Sequence, residues 1–257
     1  MFKSIPLAAA PSRLLLALVL LVLGCGDTGQ TEVSFALRAA GTNPGDIVSA
    51  HHNWTITLNE ARLAFGPLLL CPGFQAGELC DEARAEWLDS ALVDAIDPKL
   101  QPLGSVHGVT GVSRSWMYDL GIVSSLTQEQ PFVMPAARAL GNNSLVLAGV
   151  AYRDDVSVPF EAQLRLQQGP DTEQGVPIIR KSSSDDFDYT ITESTRRLTV
   201  TFDAGLWVKN INFDTLASQG CTTAAPCAIA PDSQAGRAIR HALVAGQRPI
   251  FSFADAP

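Results

Sequence analysis

The sequence predicts a mainly β domain, an antiparallel β-sandwich or open barrel carrying two short helices. Three observations lead there. Apolar and polar residues alternate at period 2 in several separate stretches, clusters of Gly, Pro, Asn and Asp punctuate those stretches, and helical spacing occurs in two brief segments. No internal repeat and no interior linker long enough to divide domains is evident, so residues 32–257 read as one β-rich domain.

From Glu32 to Ala39, Val33, Phe35, Leu37 and Ala39 fall on one side and Ser34, Ala36 and Arg38 on the other, the pattern of a half-buried strand. The turn formers of Gly41–Asp46 end it. Trp54, Ile56 and Leu58, then Ala61, Leu63 and Phe65, make the next strand, and the phase slip at Asn59-Glu60 predicts a bulge or a bend. Between Glu82 and Ile96 the period changes: Trp87, Leu88, Ala91, Leu92 and Ala95 recur at helical spacing, with Asp81 placed to cap and Pro98 past the end. This predicts a short helix lying over the sheet. Ser144–Arg153 is nearly all apolar, Asp154-Asp155 supplies a turn, and Val156, Val158, Phe160, Ala162, Leu164 and Leu166 alternate with polar neighbours, which predicts a hairpin. Pro159 has no N–H to donate, so its strand lies at an edge or beside a bulge. Leu198, Val200 and Phe202 mark a further strand, with Leu206-Trp207-Val208 as a candidate extension. Ala235, Ala238, Ile239, Ala242 and Leu243 predict the second helix, capped by Asp232 or Ser233 and closed near Gly246, and Pro249–Phe253 reads as a last strand.

The N-terminal region sets the compartment. Lys3 and Arg13 precede the uninterrupted apolar run Leu14–Leu23. A helix of that length covers roughly 15 Å, about half the hydrocarbon core, so it suits a removable signal rather than a permanent span. Next comes Leu21-Val22-Leu23-Gly24-Cys25, a small residue before the cut and a cysteine directly after it. These residues resemble the lipobox of bacterial lipoproteins, with Val22 where Leu is commoner. The resemblance implies a signal peptide at 1–24, a diacylglycerol on the Cys25 thiol and a lipidated tether at 25–31. It thus implies membrane attachment through the lipid, in which each buried CH₂ contributes about 0.8 kcal/mol. Under the sorting rule of that family an Asp directly after the cysteine retains the protein in the inner membrane; Gly26 stands there and Asp27 follows, so the outer membrane is favoured over the inner. In style the Ala-rich, Gly/Pro-punctuated remainder resembles lipoproteins of myxobacteria and their relatives, a likeness without a motif behind it.

The formal charge of −8 becomes −10 once Lys3 and Arg13 are removed. Such a surface repels phosphate backbones, and no Lys/Arg cluster offsets it, so nucleic acid is not an expected partner. Beyond Cys25 there remain Cys71, Cys80, Cys221 and Cys227, in two close pairs. Three connectivities are open, and Cys71–Cys80 with Cys221–Cys227 is the simplest in an oxidising compartment. A zinc site is disfavoured, because the spacings exceed the usual two to four residues and no histidine lies close.

The common catalytic motifs are absent: there is no Gly-x-Ser-x-Gly, His-Glu-x-x-His or phosphate-binding glycine loop. Three function classes therefore remain. A non-catalytic binding or structural module for an envelope protein or glycan is favoured. Its weak binding candidates are His107, flanked by Gly108 and Gly111 where a ligand or another backbone can approach, and the aromatic trio containing Trp116 and Tyr118, readable as a stacking platform or as core. The second class is a copper- or calcium-binding lipoprotein. His51 and His52 offer imidazoles, although neighbours on an extended chain point oppositely and need a turn to share one ion. Asp185, Asp186 and Asp188 offer hard oxygens to Ca²⁺ without the register of an EF-hand. No cofactor is expected beyond such an ion. The third class is a hydrolase with a non-standard site, which requires His107 or His241 to meet a carboxylate and a nucleophile.

Overall fold

The computed structural model describes residues 29–51, 53–73, 80, 82–120, 139–141, 143–166, 188–246 and 248–256. Fourteen strands occur among them: β1 (Glu32–Gly41), β2 (Asp46–Val48), β3 (Thr55–Cys71), β4 (Ala85–Trp87), β5 (Ala91–Asp94), β6 (Gln101–Val109), β7 (Gly111–Ser113), β8 (Ser115–Leu120), β9 (Leu145–Arg153), β10 (Val156–Leu164), β11 (Tyr189–Ile191), β12 (Thr195–Phe202), β13 (Cys227–Ile229) and β14 (Ile250–Asp255). Helices α1 (Gly205–Val208), α2 (Asp214–Ala217) and α3 (Gln234–His241) follow β12, and α3 runs into a π-helical turn at Ala242–Gly246. No helix among the described residues is long and apolar enough to cross a membrane.

The architecture is mainly β, and β3 organises it. The main sheet runs β13-β10-β9-β3-β4-β6-β1-β12-β14, with β2, β5 and β8 also paired to β3. At 17 residues β3 is long enough to serve two sets of neighbours. Its first half pairs with β9, β2 and β5, and its second half with β8 and β4. The exchange occurs around the cis Gly66-Pro67 peptide, where the β8 register shifts between Phe65 and Leu68. Beyond it, the part β8-β3-β4-β6-β1-β12-β14 curls until Trp116 of β8 stacks on Phe251 of β14, with 4.5 Å between ring centroids. That part is an open barrel whose seam is closed by aromatic side chains rather than ladder hydrogen bonds. On the other part, α2 and α3 lie against β10, and Phe213 fills the space between Trp54 and Phe160 at 6.0 and 5.2 Å.

Alternation predicted the strands because one face of each is buried. Phe35, Leu37 and Ala39 of β1, Leu198, Val200 and Phe202 of β12, and Leu145, Leu147 and Ala151 of β9 all point into the core. The phase slip at Asn59-Glu60 is a bulge, since the β3–β9 register shifts between Leu58 and Glu60. Pro159 sits opposite Val150 in the hairpin, just before β13 joins the other edge of β10 at Phe160, so its missing N–H is not called upon. Most pairings are antiparallel, as expected. β1 with β12 and β10 with β13 are parallel, because in each case the chain returns through a long connection instead of a turn. Both disulfides are local, Cys71–Cys80 with Cα atoms 5.8 Å apart and Cys221–Cys227 at 5.3 Å.

Helix placement needs two corrections. The segment 82–96 forms β4 and β5, not a helix. Its buried apolar residues Ala85, Trp87, Ala91, Val93 and Ala95 are all odd-numbered, a period-2 pattern interrupted at Leu88–Ser90, whereas Leu88 and Leu92 of the helical reading are only half-buried. Pairing with β3 and β6 overrides the helix-forming composition. Leu206-Trp207-Val208 is α1 and not a strand extension. The expected C-terminal helix is α3, with Ser233 as its cap: its Oγ accepts from the Gly236 N–H at 3.0 Å.

Candidate functional site

The charged residue that departs most plainly from the strand pattern marks the site. Along β9, Leu145, Leu147, Gly149 and Ala151 face inward, and Arg153 takes the next inward position. A guanidinium there must be paired. Its Nη1 donates to Asp214 Oδ1 at 2.6 Å, and the guanidinium carbon lies 4.4 Å above the Trp54 ring centroid. The Trp54 indole N–H donates to the same Asp214 oxygen at 3.0 Å. Trp54 is fully buried, while the side chains of Arg153 and Asp214 are 34% and 30% exposed. The arrangement therefore links a buried indole to solvent through one ion pair.

The loop from Ser49 to Trp54 is held just as firmly. Ser49 is buried; its Oγ donates to the Ile211 carbonyl and accepts from the His51 N–H, both at 3.1 Å, and its N–H donates to the Trp54 carbonyl at 2.7 Å. Asn53 adopts a left-handed conformation with φ of 54° to turn the chain into β3, and Asp154 does the same with φ of 52° to close the β9–β10 hairpin. Asn53, Thr55, Tyr152, Arg153 and Asp154 together line a concavity of about 380 Å³, open to solvent. Tyr152 is 45% exposed on the outer face of β9, beside Thr55 of β3 and Ser157 of β10. The concavity thus presents one aromatic ring, an amide, a hydroxyl, the Arg153 guanidinium already paired to Asp214, and the Asp154 carboxylate.

His51 is exposed within this loop, at a bend of the chain; His52 lies outside the described residues. Asp188 is exposed just before β11, and Asp185 and Asp186 also lie outside the described residues. Among the described residues no group of three or more His, Cys, Asp and Glu side chains could hold a metal ion. Cys25 is outside them as well.

His107 lies on the solvent face of β6, directly opposite Ser34 of β1 and Glu86 of β4. All three side chains are exposed and no hydrogen bond joins them. A serine, a histidine and a carboxylate therefore share one row, on an open sheet face and not in a cleft. His241 is exposed at the end of α3. Gly108 explains itself through packing: a Cβ there would collide with the Arg84 carbonyl and Ala85 Cα, so the close approach foreseen for it is that of another backbone.

Trp116 and Tyr118 form no platform. They are 3% and 2% exposed, and they stack on each other at 5.2 Å and on Phe251 and Phe65 within the core. Both faces of β8 are covered, so an aromatic-rich segment became interior. Sequence reasoning missed Arg153, Tyr152 and Asp214. A signal existed for Arg153, the one cation on the inward phase of an apolar strand; none existed for Asp214, which is 61 residues away from it.

No family model matches the chain, and no curated protein matches it. Among solved structures it is similar to MbnP from Methylosinus trichosporium, with 14% identity and a TM-score of 0.39, over 89% of this chain and 99% of that one.

Proposed function

We infer that this is a lipid-anchored protein of the bacterial cell envelope, more readily of the outer membrane, that binds an envelope protein or glycan without catalysis. The observation that carries the binding role is the preorganised end of the sheet, where Arg153 is fixed by Asp214 and Trp54 beside the exposed Tyr152. A binding surface held in place before its ligand arrives loses less entropy on association. The two local disulfides fit an oxidising compartment.

A photoreactive residue at Tyr152 is expected to give a discrete cross-linked species in intact cells, and one at exposed Arg197 on β12 is not. Identical patterns at both positions, or no adduct at Tyr152, would refute the binding role. The anchor has its own test. Cys25→Ser is expected to abolish incorporation of labelled palmitate and to move the protein from the membrane to the soluble fraction. Unchanged processing and fractionation would remove the anchor from the reading.

A second reading rests on the observed bend at His51: the loop bearing His51-His52 binds a metal ion such as copper, with calcium at Asp185, Asp186 and Asp188 as the weaker form. Protein purified without chelator is expected, on that reading, to carry copper lost in a His51→Ala, His52→Ala double variant. Metal-free protein whose melting does not respond to added copper, zinc or calcium would dismiss it.

A further inference from the structure

Strand register shapes the concavity at the Arg153 end. Val48 of β2, Thr55 of β3, Tyr152 of β9 and Ser157 of β10 stand level across four strands, so the exposed Tyr152 ring has a hydroxyl-bearing residue on either side. The same register, carried on through Trp54 and Arg153, brings Asn53 level with Asp154. Both are exposed and both are left-handed, a conformation that Asn and Asp adopt more readily than most side chains. Neither side chain has a hydrogen bond or ion pair among the described residues. An amide and a carboxylate thus stand side by side, ready for a ligand, next to one aromatic ring.

Charge and polarity narrow the ligand. The Arg153 guanidinium is paired with Asp214, which leaves the Asp154 carboxylate as the uncompensated charge of the concavity, so an anionic ligand is repelled. Amide, carboxylate and hydroxyl groups surround a single ring, which calls for a ligand with one small apolar face and a rim of groups that both donate and accept. A pyranose has that form, since its C–H bonds gather on a ring face and its hydroxyls lie around the edge. Tyrosine offers the matching surface at low entropic cost, because two χ angles fix it. At about 380 Å³ the concavity falls within the range of small-molecule sites, about 300–1,000 Å³. We propose that it binds a neutral pyranose residue of a glycan: the sugar face stacks on Tyr152, two adjacent hydroxyls donate to the Asp154 carboxylate, and the Asn53 amide pairs with a third. This rests on the binding role assigned above to the same end of the sheet and narrows its ligand to a sugar.

Saturation-transfer NMR on the full-length protein tests this with methyl β-D-galactopyranoside, methyl β-D-glucopyranoside and methyl α-D-mannopyranoside. At least one is expected to receive saturation, strongest on the C–H protons of one ring face, and the uronate of the same sugar, which carries a carboxylate, is expected to bind more weakly. Tyr152→Phe should bind as the parent does and Tyr152→Ala about tenfold more weakly, which separates stacking from a hydrogen bond to the phenol. Asp154→Asn retains a side chain suited to the left-handed turn, and is expected to narrow the gap between sugar and uronate. Both positions are exposed, and thermal melts check that the variants stay folded. No saturation of any of the three glycosides, equal binding of the uronate, or parental affinity in Tyr152→Ala overturns the proposal. In that event a discrete protein adduct from Tyr152 in cells still upholds the binding role with a protein as ligand, whereas failure of both removes that role as well.

Discussion

Phe65→Ala is expected to lower the unfolding free energy by about 3–5 kcal/mol, near the upper end for a core truncation. Phe65 is fully buried at the point where β3 changes partners, flanked by Leu120 of β8 on one side and Ala91 of β5 on the other. Its ring meets those of Trp87, Tyr118 and Phe202 at 6.0, 5.4 and 5.2 Å, which draws β4, β8 and β12 around one centre. Three aromatic neighbours cannot all move into the vacated space without giving up contacts elsewhere, so a cavity persists. Chemical denaturation should show a lower midpoint with an unchanged slope, and the melting temperature should fall by about 10 °C. Phe65→Leu retains much of the volume and should cost less than about 1.5 kcal/mol. Equal losses from the two substitutions would mean that Phe65 is not the junction of the core.

Gly108→Ala is the second large effect, about 3 kcal/mol from a single methyl group. The added Cβ would strike the Arg84 carbonyl and the Ala85 backbone, and backbone within a paired strand cannot rotate aside as a side chain can. β4 and β6 must separate, although β4 is the link between β3 and the rest of the barrel. Gly73→Ala supplies the control: among the described residues nothing lies within 4 Å of the place a Cβ would take there, and the change should stay within about 0.5 kcal/mol. Parental stability of the Gly108 variant in denaturant titrations would show that the β4–β6 pair yields. The predicted helix over residues 82–96 hid this contact from view, because a helix lying over the sheet would leave Gly108 without a strand beside it.

That misreading has a general cause. Glu82, Ala83, Ala85, Glu86 and Leu88 favour helix locally, and free energies of a few tenths of a kcal/mol per residue decide an isolated peptide. In the folded chain those preferences lose to the burial of Trp87 and Val93 and to ladder bonds on both edges of β4. Trp116 and Tyr118 show the same limit. Their aromatic density was legible, but whether the rings faced water depended on β14, whose Phe251 is more than 130 residues further along.

What the residues themselves determined is what neighbours within a strand or a short loop decide. The alternation of β1, β9, β10 and β12, the bulge at Asn59-Glu60, the Ser233 cap and both disulfides follow from spacings of a few positions, over which burial of one face or closure of a loop is a local free-energy choice. Tertiary structure alone decided that β3 would serve two sets of strands, that β1 would lie parallel to β12, and that Asp214 would meet Arg153 and Trp54. Those contacts join segments tens to more than a hundred residues apart, and their energy exists only once the intervening chain has packed and water has been excluded from between them.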